Sequence, residues 1–246
     1  MKNEYTLVMG RNPVLEALHA HRPFNRVFLQ QGVRGAYESE VRQLCKAQTI
    51  PLQIVPKERF TKFTRANHQG ILGLLSPVPY QRLEHILPRV YERSQNPLFV
   101  LLDGVTDTRN FGAIARTAEL AGAQAIVVPL KNSVQITADA IKTSAGALLE
   151  LPVCREQNLL LAIEFLQMSG VAVYGSSLRT EATIDALDFT GPTALVLGSE
   201  ERGISREVTA LVDRTFKLPQ VGKTDSYNVS VAAGMMLYEV LRQRNI

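Results

Sequence analysis

Thr193-Ala-Leu-Val-Leu-Gly-Ser-Glu-Glu-Arg-Gly-Ile-Ser205 carries the pattern that decides the fold. It begins with the unbroken apolar run Ala194 to Leu197, whereas a strand with one wet face would alternate apolar and polar residues. A continuous run belongs to a strand of a parallel sheet covered on both faces. Gly198 ends the run, a polar loop follows, and residues 204–212 return to helical spacing. Working outward in both directions, the same unit recurs. The pattern predicts strands over 98–103, 125–129, 151–154, 171–176, 193–198 and 215–219, and helices over 110–121, 137–145, 158–168, 204–212 and 227–244. Such alternation specifies an α/β fold. Ligands of such sheets sit beyond the carboxyl ends of the strands, so the loops after 103, 176, 198 and 219 are the ones to examine.

The front of the chain is a smaller unit of its own. A helix from Arg11 with Pro13 in its first turn, a strand from Arg26, a helix over 36–48, a strand over 51–56, a short helix over 57–64 and the buried strand Ile71 to Leu75 make an αβαβαβ order. This supports a small three-layer α/β domain over 1–76. Ser76-Pro-Val-Pro-Tyr80 interrupts regular structure twice, because each proline lacks a donor N–H and restricts the residue before it. A linker is therefore placed over 77–96, with a short helix within it, and a second domain over 97–246.

Composition bounds the partners. The chain has 246 residues, 46% hydrophobic and 20% charged, as ordinary globular proteins do. No apolar run approaches the ~20 residues that span a bilayer, and Met1-Lys-Asn-Glu-Tyr5 opens no signal peptide, so a cytoplasmic protein without membrane contact is expected. Cys45 and Cys154 form no Cys-x-x-Cys pair and read as small buried apolar residues. Residues 1–95 hold 14 Lys/Arg against 7 Glu, leaving 13 Lys/Arg against 16 Asp/Glu for the rest. A basic front half on a near-neutral back half points to a polyanion-binding module joined to something else.

Several chemistries are excluded. Gly-x-Gly-x-x-Gly is absent. Gly198 to Gly203 copies the opening of a phosphate loop, but Ile204 stands where its Lys must be, and Gly222-Lys-Thr224 is preceded by Lys217 where a Gly is required. His19, His21, His68 and His85 all precede residue 97, so the second domain can build neither a His triad nor a His-ligated metal site, and no metal is expected. What remains is a set of polar residues at strand ends. Asn110 can cap the helix that follows it or belong to a site. Arg116 lies four residues after Gly112, past which a ligand backbone could approach, or else faces solvent. Glu200 is at a site or paired with Arg202 or Arg206. Ser226 suits the N-cap of the final helix, with Asn228 in its first turn.

Asn110-Phe-Gly-Ala-Ile-Ala-Arg116, Leu197-Gly-Ser-Glu200-Glu-Arg-Gly203-Ile-Ser and Leu218-Pro with Ser226-Tyr-Asn228-Val-Ser resemble, in order and spacing, the three signature motifs of the SpoU/TrmH branch of the SPOUT methyltransferases. Gly10-Arg-Asn-Pro-Val-Leu-Glu and Asn67-His-Gln-Gly-Ile look like the ribosomal-protein-like RNA-binding domain of the 23S rRNA guanosine 2'-O-methyltransferases. The resemblance implies S-adenosyl-L-methionine as methyl donor, a ribose 2'-hydroxyl of guanosine in 23S rRNA as acceptor, a deep C-terminal trefoil knot and a homodimer. A tRNA substrate, or a non-catalytic ribosome-assembly factor, are the alternatives. It further implies a cofactor site on the backbone around Gly198, Gly203, Leu218 and Tyr227, and a catalytic set of Arg116, Asn110, Glu200, Ser226 and Asn228. The family assigns hydroxyl activation to the arginine at position 116. Because a guanidinium stays protonated and offers no acceptor, gripping phosphate and stabilising charge on the ribose oxygen is the simpler role. Two departures stand out: Asp107-Thr-Arg-Asn110 replaces the frequent Asp-Pro-x-Asn, and Tyr227 replaces a leucine.

Overall fold

The structure, a computed structural model, describes residues 6–246. The chain divides into two compact units, the first running to Pro79 and including Gln135–Ala138, the second holding Tyr80–Val134 and Asp139–Ile246.

In the first unit β1 (Thr6–Met9), α1 (Arg11–His19), β2 (Phe24–Gln30), α2 (Ala36–Ala47), β3 (Leu52–Val55), a 3₁₀ turn over Lys57–Lys62 and β4 (Ile71–Leu75) follow one another. The sheet order is β1-β4-β2-β3, with β3 parallel to β2 and the other pairs antiparallel. Each face has its own core, which gives the three layers expected. Val14 and Leu18 of α1 and Val41 and Cys45 of α2 pack on Val27, Leu29 and Ile71; Phe60 of the 3₁₀ turn packs on Phe28, Val55, Leu72 and Leu74. Phe24 shares the helical face with Val27 although the two differ in parity. A register shift between Phe24 and Arg26 inserts the extra residue that permits this. Opposite it, Gly73 is obligatory, since a Cβ there would lie 2.3 Å from the Phe24 ring. β1 was not expected from the sequence: four residues are too few to show a period, and only pairing with β4 defines them.

The second unit contains α3 (Leu83–Glu92), β5 (Leu98–Asp103), α4 (Thr108–Leu120), β6 (Ala125–Pro129), α5 (Ala138–Thr143), α6 (Ala147–Glu150), β7 (Val153–Glu156), α7 (Leu159–Met168), β8 (Ala172–Ser176), β9 (Thr193–Gly198), α8 (Arg206–Leu211), β10 (Arg214–Phe216) and α9 (Val229–Gln243). All six strands are parallel, in the order β10-β8-β9-β5-β6-β7. β9 and β5 lie at the centre, and their buried runs are the continuous apolar stretches noted above. Residues 77–96 contribute to this unit. Gln81 bridges in parallel to Cys154 of β7, and α3 buries Leu83, Ile86, Leu87 and Val90, spaced i, i+3, i+4 and i+7, in its core.

Two helices differ from expectation at their ends. The helix predicted over 137–145 is split into α5 and α6, because Ala145 and Gly146 both take positive φ, 52° and 92°. The strand predicted to reach 219 ends at Phe216. The last turn of α9 is held by a buried clasp. Arg244 donates through Nε to Phe189 O at 3.0 Å, through Nη1 to Asn96 O at 3.2 Å, and through Nη2 to Pro97 O at 3.0 Å and Gly191 O at 2.7 Å. These carbonyls belong to the chain entering β5 and β9, so one side chain pins the final helix to the amino ends of the two central strands. Arg244→Ala leaves these acceptors without their charged donor and is expected to lower unfolding stability by about 2 to 3 kcal/mol. Urea midpoints would show this, and an unchanged midpoint would mean that water replaces the guanidinium without loss.

Candidate active site

The carboxyl ends of β5, β8, β9 and β10 bring the sequence-selected residues to one edge of the parallel sheet. After β9 the chain makes a closed loop: Ser199 N donates to Gly203 O at 3.2 Å and Gly203 N to Ser199 O at 2.8 Å. Gly203 has φ +66°, and a Cβ at Gly198 would lie 1.8 Å from the carbonyl carbon of Gly203. Glycine at 198 is thus a condition for the loop to close at all. Asp103 at the end of β5 accepts Ser205 N at 2.6 Å, and Ser205 in turn caps α8, so the loop is tied at its far side as well.

Glu200 projects from this loop toward two helix starts. Its Oε1 accepts Asn110 Nδ2 at 3.1 Å, Asn228 Nδ2, and the Val229 backbone N–H at 3.4 Å. Asn228 also donates to Asn110 Oδ1 at 3.0 Å, which closes a ring of three side chains. Glu200 is therefore paired with neither Arg202 nor Arg206; three donors share one carboxylate oxygen.

Both helix caps are other residues than the sequence pointed to. Asp107 caps α4, accepting Arg109 N at 2.9 Å and Asn110 N at 2.8 Å, which leaves the Asn110 side chain available to the ring. Asn228, not Ser226, caps α9, accepting Ser230 N at 3.0 Å and Val231 N at 3.4 Å. Asn228 has both an acceptor and a donor on one side chain, and uses the first for the helix and the second for Glu200. Ser226 lies two residues outside the helix, on the wall of a cleft.

Arg116 is exposed on α4 and lines neither of the two clefts at this edge. The space above Gly112 is not open to a ligand: a Cβ there would meet Thr143 Cβ at 2.7 Å and Ala140 O at 2.9 Å, so α5 packs on that glycine. The first cleft, about 500 Å³, lies between the loops after β8, β9 and β10. Gly198, Gly203, Leu218, Ser226 and Tyr227 all line it, together with Ser177, Leu178 and Glu200. Tyr227 Oη donates to Pro219 O at 2.9 Å, bracing the loop that brings Leu218 and Ser226 to the same wall. The second cleft, about 1040 Å³, lies on the other side of the Ser199–Gly203 loop. Asp103, Asp107 and Ser205 were not selected from the sequence. Their roles are backbone contacts across long separations, and their only local sign is a polar residue at a strand end or helix start. Among the described residues no group of His, Cys, Asp and Glu could hold a metal ion.

Two substitutions test this geometry. Gly198→Ala is expected to give protein that fails to fold or lacks the closed loop, read by circular dichroism and proteolysis; a well-folded variant would show that the loop can reorganise. Asp caps helices as well as Asn does, yet Asn228→Asp removes the donor and sets a carboxylate against Glu200. A thermal midpoint lowered at pH 7.5 is expected, and an unchanged one would reduce Asn228 to a cap.

Comparison with known proteins covers the whole chain. Residues 97–238 match the SpoU rRNA methylase family, and residues 7–81 match the RNA 2'-O ribose methyltransferase substrate-binding domain. A Bacillus subtilis protein assigned to the TrmH family of tRNA/rRNA methyltransferases is 34% identical over 245 residues, covering 100% of this chain and 98% of that protein. The SpoU methyltransferase AviRb of Streptomyces viridochromogenes, solved with AdoMet, shares the fold with a TM-score of 0.62 at 24% identity, covering 100% of this chain and 94% of AviRb. The A. aeolicus TrmH/SpoU tRNA modifying enzyme is 30% identical with a TM-score of 0.57, covering 66% of this chain and 84% of that enzyme. With its three motifs gathered at one sheet edge and both domains matched, the chain belongs to the SpoU/TrmH family of RNA 2'-O-ribose methyltransferases.

Proposed function

We propose that the protein transfers a methyl group from S-adenosyl-L-methionine to the ribose 2'-hydroxyl of a guanosine in 23S rRNA. The observation that carries this reading is the Asn110–Glu200–Asn228 ring, set at the wall between two clefts of suitable size. The residues present fit the cofactor. The 500 Å³ cleft lies in the ordinary range for small-molecule sites. Leu178, Leu197, Leu218 and Ala232 offer apolar surface to an adenine, while the backbone at Gly198, Gly203 and Leu218 can approach its edges without side-chain obstruction. When bound, the cofactor supplies an electrophilic methyl group, which the 2'-oxygen accepts as its own proton departs.

The chain's own residues set the acceptor side. Glu200, held by three donors, keeps the ends of α4 and α9 at fixed separation, and the hydroxyl of Ser226 faces the same cleft. Arg116 lies outside both clefts of its own chain, which supports a homodimer in which each site receives this guanidinium from the partner. Apolar residues left exposed on α4 and α9, Leu120, Val231 and Tyr238, fit burial between two copies. The trefoil knot belongs to the same reading, as the backbone arrangement in which the loops after β9 and β10 meet. An rRNA target is favoured by the basic front unit, whose residues 7–81 match a substrate-binding domain.

Calorimetry with adenosylmethionine and tritium transfer to unmodified rRNA test the activity. Binding together with transfer is expected; no binding at millimolar cofactor would favour a non-catalytic RNA-binding factor. Arg116→Lys keeps the charge but loses the planar fork, and is expected to lower kcat about 100-fold with cofactor affinity unchanged. Transfer at the wild-type rate would remove the geometric role of the guanidinium.

A further inference from the structure

The larger cleft has a composition unlike the first and a position that gives it a role. Ser199, Glu200, Glu201, Arg202, Gly203 and Val229 line both, so the closed loop after β9 and the start of α9 form a common wall. If one side of that wall holds the methyl donor, the acceptor oxygen must reach the wall from the other, since transfer needs the reacting atoms aligned and in contact. The far side of the larger cleft is made by the carboxyl ends of β6 and β7, through the segments Pro129–Asn132 and Gln157–Leu160. These segments are rich in carboxamides. Asn132 and Gln157 are exposed, Asn132 at the tip of a turn with φ 53°, while Asn158 spends its Oδ1 on capping α7 at Leu161 N, 2.9 Å away. Lys131 adds one exposed cation beside them.

The geometry points to this cleft as the site for the acceptor nucleotide, taken out of its stack. Its ribose lies at the common wall near Glu200 and Asn110, its base edge is read by the carboxamides of Asn132 and Gln157, and its phosphate is held by Lys131. This rests on the proposed methyl-transfer reading and adds the substrate subsite to it. A base carries its hydrogen-bonding edge away from its sugar, so a ribose at the wall places the base toward the ends of β6 and β7. Carboxamides offer donor and acceptor together and suit an unstacked base edge. Enzymes that act on stacked nucleotides need a pocket for the extruded one, and 1040 Å³ leaves room for a nucleotide and part of a neighbour.

The test uses the full-length protein and 23S rRNA transcribed in vitro, with a Lys131→Ala, Gln157→Ala double variant. Both side chains are exposed and line only the larger cleft, so adenosylmethionine affinity is expected to stay within about twofold of wild type. For the RNA, kcat/KM is expected to fall at least about tenfold. Binding of RNA without cofactor is expected to lose about 0.7 in its log-log salt slope, the share of one single-strand phosphate contact, and Lys131→Arg is expected to keep that slope. Wild-type kcat/KM and salt slope in the double variant would overturn the subsite while leaving the activity standing. A wild-type protein that binds no adenosylmethionine would instead overturn the donor cleft beneath it, and this is read before any variant is made.

Discussion

One carboxylate oxygen ties together the edge of the sheet where the motifs meet. Glu200 Oε1 receives Asn110 from the start of α4, and Asn228 and the Val229 N–H from the start of α9. Two helix N-termini carry partial positive charge, so a carboxylate between them is favoured by the backbone dipoles as well as by the individual hydrogen bonds. The arrangement is restrictive, because the three donors converge only if the loop after β9, the start of α4 and the start of α9 hold one relative placement. Asp107 and the acceptor oxygen of Asn228 cap the two helices, which frees Asn110 and the donor group of Asn228 for this contact.

That convergence depends in turn on backbone geometry. Gly198 and Gly203 let the loop after β9 fold back on itself within bonding distance, and any side chain at Gly198 would occupy the place of the Gly203 carbonyl. A loop closed in this way presents main chain, not side chains, to the smaller cleft. The central position of β9 and β5 in the sheet fixes where the loop stands, and Arg244 holds the distal end of α9 to the opposite ends of the same two strands. The final helix is thus anchored at both ends of the sheet, at its start through Asn228 and at its finish through a guanidinium serving four carbonyls.

Much of the second unit was legible in the sequence because its strands are buried on both faces. Runs such as Ala194 to Leu197 have no other comfortable place, and all six strands lie where the alternation put them, within two or three residues at their ends. Errors gathered where a residue's role depends on something distant. Asn110 and Ser226 looked like caps because capping is a local preference, yet Asp107 and Asn228 hold those positions. Gly112 looked like an opening for a ligand, but α5 packs against it. β1 was invisible because four residues carry no period without their partner strand.

The sequence by itself determined the alternation of strands and helices, the parallel character of the second sheet, the basic front unit, and which polar residues stand at strand ends. These follow from periodicity, burial and local backbone preference, and neighbouring residues suffice to express them. Only the tertiary structure decided which of those residues meet. Asn110, Glu200 and Asn228 come together across separations of 90, 28 and 118 positions, while Arg116 is carried away from both clefts of its own chain. The reason is that a hydrogen-bond ring depends on where the sheet order delivers each loop, and strand order is set by the packing of the whole domain and not by any local run of residues.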